Sequence, residues 1–295
     1  MVKFLQFVWA HFWSHFDNIA DGIVATVVFT VAGAILATLW HYLGEGVRFR
    51  WSRFICTVWR YITWRRKILL WIDTDLLTVE RLADHLNKQL QAPPAGQLRN
   101  SRVHVMRLPR EILLYPMKPS IVAAIILINT DVSKLSADDK IRELIENQLL
   151  KYLRHGGGIV GCHDVIYRRA RNERLQGAFG GKIDGFSILK GKPIEYVRNK
   201  DHEDHPIAKE LPEEFALMDG EILATNEWPA DAQVLFRSTE TPDPHDLVVA
   251  REYLTGRLVW LNSCDHQDPL CASVRTPQDN FVKLLSASIQ WVARC

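Results

Sequence analysis

Cys162 and His163 stand side by side at the end of GGGIVGCHDV, Gly156 to Val165, where a glycine turn feeds a short apolar strand. In several hydrolase folds an active-site nucleophile sits at the end of such a strand. A thiolate there would attack an electrophilic carbon, whereas an imidazole would take a proton, give one up or ligate a metal. The glycine run precedes a strand instead of opening a helix, so it is no phosphate-binding loop.

Either chemistry needs a sheet to hold the strand end in place. KILLWID, Lys67 to Asp73, reads as a strand, and Thr78 then offers an N-cap to a helix with the apolar stripe Val79, Leu82, Leu86 and Leu90. Val103 to Leu108 reads as a second strand. IVAAIILIN, Ile121 to Asn129, is apolar almost throughout, as expected of a strand buried on both faces of a parallel sheet. Ser136 is the expected cap of the next helix, whose stripe is Ile141, Leu144, Ile145, Leu149 and Tyr152; Gly158 to Cys162 is the strand that follows. Further strands are expected at Ile194 to Val197, Val234 to Arg237, Leu247 to Glu252 and Leu258 to Asn262. A closing helix opens at Thr276 and Pro277 and carries Phe281, Leu285, Ile289 and Val292 on one face.

Strand, helix and strand in quick alternation mark an α/β fold with a parallel sheet. Ligands of such sheets bind beyond the carboxyl ends of the strands. The polar residues that follow those ends are Asp73 and Asp75, Asn129 to Asp131, and His163 with Asp164. Asp73, Asn129, Asp131 and Asp164 are therefore the expected ligand-binding residues.

The first 66 residues differ in character. Residues 1–67 hold eight Lys/Arg against three Asp/Glu, so the net charge of +2 sums +5 there and −3 in the rest. An acidic remainder excludes a basic nucleic-acid binder. Gly22 to Gly44 is a run of 23 residues without a formal charge, and about 20 apolar residues suffice to cross a bilayer as a helix. Only Lys3 precedes it, whereas Arg48, Arg50, Arg53, Arg60, Arg65, Arg66 and Lys67 follow, which places the large C-terminal part on the cytoplasmic side of the inner (plasma) membrane, in a single pass. Residues 1–21 and 45–66 carry apolar and aromatic side chains at helical spacing, and in the second segment arginines stand between them, as suits a headgroup layer. A homo-oligomer packed through this segment would show the same pattern. The expected organisation is thus 1–21 amphipathic, 22–44 transmembrane, 45–66 juxtamembrane and 67–295 the α/β domain.

The five cysteines, Cys56, Cys162, Cys264, Cys271 and Cys295, include no CxxC pair and read as free thiols in a reducing compartment. No metal template fits Cys264, Cys271 and His266, and of the polar run Asp201 to His205 the first four residues read as a solvated connection. The sequence names no cofactor.

GGGIVGCHD, HPIAKELPEEFALMDGEI and VVAREYLTGRLVWLNSCDH, followed by a helix ending in SIQWVA, resemble the trehalose-utilisation (ThuA-like) domain of the class I glutamine amidotransferase-like superfamily. The resemblance implies a flavodoxin-like sheet in which one strand ends at a sharp turn, the nucleophile elbow. Amidotransferases place cysteine there in a G-x-C-x-G setting; counted from Gly161, the elbow residue here is His163, and Cys162 comes one position early. Alternation along the strand then aims the imidazole into the crevice and turns the thiol into the helix layer. The resemblance also raises Glu221 and His266 as catalytic neighbours. The family's adjacent acidic pair is split here as Asp219, Gly220, Glu221, and its glycine-histidine-aspartate ending reads Cys264, Asp265, His266.

Three functions follow. The first is an enzyme acting on a small polar, sugar-derived ligand by acid/base chemistry through His163, Glu221 and His266. The second is an inactive ligand-sensing or membrane effector module, and the third is a cysteine hydrolase using Cys162.

Overall fold

A computed structural model describes residues 66–72, 76–91, 103–107, 110–114, 116–128, 135–166, 173–188, 192–218, 221–239, 244–263 and 279–294. In chain order the elements are β1 (Arg66–Ile72), α1 (Leu76–Gln91), β2 (Val103–Arg107), β3 (Val122–Ile128), α2 (Asp139–Arg154), β4 (Gly158–Cys162), α3 (Glu173–Phe179), β5 (Lys182–Ile188), β6 (Pro193–Arg198), α4 (Pro206–Lys209), β7 (Glu214–Met218), β8 (Glu221–Glu227), β9 (Ala232–Ser238), β10 (Asp246–Tyr253), β11 (Gly256–Leu261) and α5 (Asp279–Ala293). Short 3₁₀ turns follow β2, β4 and β6.

The main sheet has nine strands in the order β2-β1-β3-β4-β11-β10-β9-β6-β7. β2, β1, β3, β4 and β11 run parallel, and their order is the 2-1-3-4-5 of flavodoxin-like sheets. From β11 onward every pairing is antiparallel, so the sheet is mixed and not the parallel sheet expected. Hairpin-length links such as Leu254–Thr255 cause the change, because a parallel return needs a crossover of a dozen residues or more. β5 and β8 form a separate two-stranded ribbon.

All seven residues of β3 are buried, which accounts for its unbroken apolar run. Alternate side chains of the parallel strands feed two cores. Ile68, Leu70, Ile126, Val160 and Leu261 pack with residues of α1 and α5. Leu69, Ile125, Leu127, Ile159 and Trp260 pack on the other face with α2 and α3. The apolar residues Phe281, Leu285, Ile289 and Val292 of α5 all enter the first core, as their spacing predicts. Its expected cap, Thr276 with Pro277, lies outside the described residues.

Local corrections concern helix starts and flanks. α1 begins at Leu76, so Thr78 lies in its first turn and is buried rather than capping. The cap of α2 is Asp138, whose carboxylate accepts from the backbone N–H of Lys140 at 2.8 Å and Ile141 at 3.4 Å. Ser136 supports it from one step outside, its Oγ accepting from Asp138 N. Ile141 and Leu144, assigned to the buried stripe, are exposed. Arg142 and Glu146 take the buried flank because each bonds backbone beyond the helix. The Arg142 guanidinium donates to the carbonyls of Ser136 and Ala137, and the Glu146 carboxylate accepts from Leu175 N at the start of α3.

No helix among the described residues is long and apolar enough to cross a membrane, and Gly22 to Gly44 lies outside them.

Candidate functional site

β1, β3, β4 and β11 end at one edge of the sheet, and His163 follows β4 there directly. Its φ is 49°, the left-handed region that histidine, asparagine and aspartate enter more readily than most residues. The chain reverses at this point into the 3₁₀ turn His163–Ile166, so a strand-to-turn elbow is present. Gly161 makes the reversal fit. A Cβ at that position would lie 2.5 Å from Val165 Cγ1 and 2.8 Å from Phe179 Cζ.

A polar chain holds the elbow from the side of β11. Trp260, opposite Gly161, donates its indole N–H to the His163 carbonyl at 3.3 Å. Its ring lies 5.3 Å, centroid to centroid, from that of Trp228, whose own indole N–H donates to Asp246 Oδ2 at 2.9 Å. Asp246 Oδ1 accepts from Arg237 Nε at 3.0 Å, and the Asp246 carbonyl accepts from the Asn262 side-chain amide at 3.0 Å. Asn262 and Ser263, at the end of β11, are wholly buried polar residues on the same edge as His163. These are the residues that sequence reasoning missed.

Cys162 is fully buried in the core beneath α1 and α5, with no access for a substrate. The imidazole of His163 is not open to the crevice, however; the residue is 2% exposed.

Of the other expected residues, Asp164 belongs to the 3₁₀ turn beside His163, and Glu221 opens β8 opposite Ile188 in the separate ribbon. The side chains of both lie outside the described residues, as do Asp73, Asn129, Asp131 and His266 altogether. The chain enters Asp73 from β1, Asn129 from β3 and residue 264 from β11, and each of these strands ends at the edge that carries His163.

The family whose description is trehalose utilisation, ThuA, matches residues 120–292. The chain belongs to the ThuA family. The match spans β3 to α5 and therefore includes the elbow, while β1 and β2 of the same sheet, with α1 between them, precede it. No curated protein matches the sequence. Among solved structures, a ThuA-like protein from Parabacteroides merdae superposes with a TM-score of 0.53 at 13% identity, over 78% of this chain and 90% of its own. A ThuA-like protein from Bacteroides uniformis gives 0.52 at 17% identity, over 77% and 90%. A cytoplasmic protein from Salmonella typhimurium LT2 gives 0.52 at 15% identity, over 71% and 86%. At these identities the likeness is one of fold.

A second histidine of the ThuA domain has a structural task. In HPI, His205 is the N-cap of α4, its Nδ1 accepting from Ile207 N at 3.2 Å, with Pro206 in the first turn and Ile207 buried. Its ring packs 4.9 Å from that of Trp291. Among the described residues no group of three His, Cys, Asp or Glu side chains could hold a metal, and that includes the run from Asp201 to His205. Burial, then the nearby charges of His202 and Arg257, pull the His205 pKa down to about 4, against a smaller upward pull from Glu252. Only the unprotonated Nδ1 can accept, so protonation removes the cap. An unfolded histidine titrates near pH 6.5. Between there and about 4 the unfolded chain binds a proton that the folded chain does not, and stability falls as pH falls through this window. The ring is only half-buried, so the loss is about 2 kcal/mol. Asparagine caps equally well without titrating. Unfolding free energies from urea titrations at neutral pH and near pH 4.5 should therefore differ by about 2 kcal/mol more in the parent than in His205→Asn.

Proposed function

We propose that this chain is a membrane-anchored ThuA protein whose cytoplasmic domain binds a small polar ligand, of the sugar-derived class, at the edge that carries His163. The observation that supports this best is the left-handed backbone of His163 in the elbow after β4, braced by Trp260 and fitted over Gly161. A non-glycine residue held in that conformation stores strain, which proteins retain mostly where a side chain must be presented at a functional position. The imidazole would serve as acid or base, with Glu221 and His266 as proton partners and Asp73, Asn129, Asp131 and Asp164 around the ligand.

Enclosure of the imidazole supports a second reading, ligand sensing without turnover, since a buried ring can register a bound ligand while contributing no proton transfer. The anchor rests on the uncharged run Gly22 to Gly44 and the arginines after it, and an assembly of copies through that run fits either reading.

The test is a panel of monosaccharides, disaccharides and sugar acids offered to the full chain in detergent. A ligand selective for the folded form raises the melting temperature. Stabilisation with a new product supports the enzyme, and stabilisation without one supports the sensor. If no member stabilises the protein and none is converted, the sugar-derived ligand class falls.

A further inference from the structure

The sheet edge opposite His163 gathers basic side chains from several elements. β1 opens there at Arg66, whose guanidinium donates to the Ala293 carbonyl at 3.0 Å. The next residue along, Arg294, donates from Nη2 to the Thr255 carbonyl at 2.6 Å, and Thr255 Oγ1 donates to the Arg154 carbonyl at 2.7 Å. On the other flank Lys67 N donates to the Ile121 carbonyl, and Ile121 N to that of Lys118, both at 2.8 Å. Arg66, Lys118, Lys151, Arg154, His155 and Arg294 thus lie around the end of the sheet at which the parallel strands begin, as a basic strip. All but the half-buried Arg66 are exposed. Glu252, nearby, is paired with Arg257 at 3.0 Å. The acidic run that includes Asp201, Glu203 and Asp204 follows β6, under the antiparallel half.

The chain reaches this strip from a segment that is itself basic. From Glu45 to Arg65, 21 residues separate the uncharged run from β1, and five of them are arginines. So short a connection keeps the strip at high effective concentration against the surface from which it emerges. The partner must therefore be anionic, extended and located at the tether's origin, and the cytoplasmic leaflet of a bilayer meets all three requirements.

We propose that the strip of Arg66, Lys118, Lys151, Arg154, His155 and Arg294 docks on anionic lipid headgroups. This rests on the membrane reading of Gly22 to Gly44. Docking turns the opposite edge, with His163, away from the bilayer and toward the solvent from which a small polar ligand arrives.

The full chain is reconstituted in vesicles of phosphatidylcholine, with or without phosphatidylserine, and lysine acetylation is read by mass spectrometry. Lys118 and Lys151 should label about fivefold less with phosphatidylserine, since each surface cation gains roughly that factor from the anionic leaflet. Lys140, exposed at the far end of α2, should label equally in both. Molar salt, which shortens the Debye length to about 3 Å, should abolish the difference, and in Lys151→Glu/Arg154→Glu the protection of Lys118 should vanish. Equal labelling of Lys118 and Lys151 in both vesicles overturns the proposal, as does stronger protection by an RNA oligomer than by phosphatidylserine at matched charge. Extraction with alkaline carbonate reads the span by itself. Release of the chain refutes the membrane reading, whereas retention with unprotected lysines refutes the docking face alone.

Discussion

His163→Ala should lose the ligand-dependent rise in melting temperature together with about a hundredfold or more of any turnover, the usual contribution of a positioned acid or base. The substitution is not clean in itself, because alanine must adopt the left-handed φ of 49° and also leaves the volume of a buried ring empty. Two companions separate backbone from chemistry. Glycine enters the left-handed region at no steric cost, and asparagine enters it more readily than alanine while filling part of the space. Melting temperatures should place His163→Gly and His163→Asn above His163→Ala, yet all three should be equally deficient in ligand response. An asparagine variant that retains full turnover or full ligand response would remove His163 from the site, whatever its melting temperature. If instead the three variants lose stability equally and keep their function, the left-handed turn is a packing solution only.

How much of this was legible beforehand depended on how strongly burial constrained each segment. β3 and β4 could be read to within a residue because a strand covered on both faces tolerates no polar position, and β4 is bounded by glycines that cannot be mistaken for helix. β7, only five residues with two of them buried, offers too little alternation to stand out from a loop. β8 pairs with β5 alone, away from the main sheet, so neither strand carried a signal of the sheet as a whole. The α2 stripe went wrong at Ile141 and Leu144 for a different reason. A charged residue is normally read as solvated, whereas Arg142 and Glu146 are buried by hydrogen bonds to residues outside their own helix.

The candidate site divides in the same way. The burial of Cys162 in the helix-covered core follows from a two-residue period along one strand. The brace does not, because Trp228, Asp246 and Trp260 meet only through the packing of β11 and β10 beside the Pro229 turn. Asn262 and Ser263 are legible in principle as polar residues closing an apolar strand, the same signal that singled out His163. HPI was visible as a motif, but its purpose was visible only when the imidazole was seen to accept from Ile207 N.

The largest loss of stability should come from Gly158→Ala. Gly158 opens β4 beneath the last turn of α5, and a Cβ there would fall 2.5 Å from Val292 Cβ and 2.7 Å from the Val292 carbonyl carbon. A flexible side chain could move aside, but this is helix backbone, and α5 is fixed in turn by its core residues and by Arg257 donating to the Trp291 carbonyl. Either α5 shifts or β4 leaves its register with β3 and β11, and both options disturb the elbow that follows five residues later. Overpacking of this kind costs about 3 kcal/mol. For a domain of this size that corresponds to a fall of about 6–12 °C in melting temperature. Gly177→Ala supplies the contrast, since its Cβ would meet nothing within 4 Å and would replace a helical glycine of α3. There the same substitution should stabilise by about 0.5–1 kcal/mol through helix propensity. Thermal melts of the two variants with the parent therefore test the packing directly, because opposite signs are expected from one chemical change. A Gly158→Ala protein that melts with the parent would mean that α5 does not seat on β4 as described.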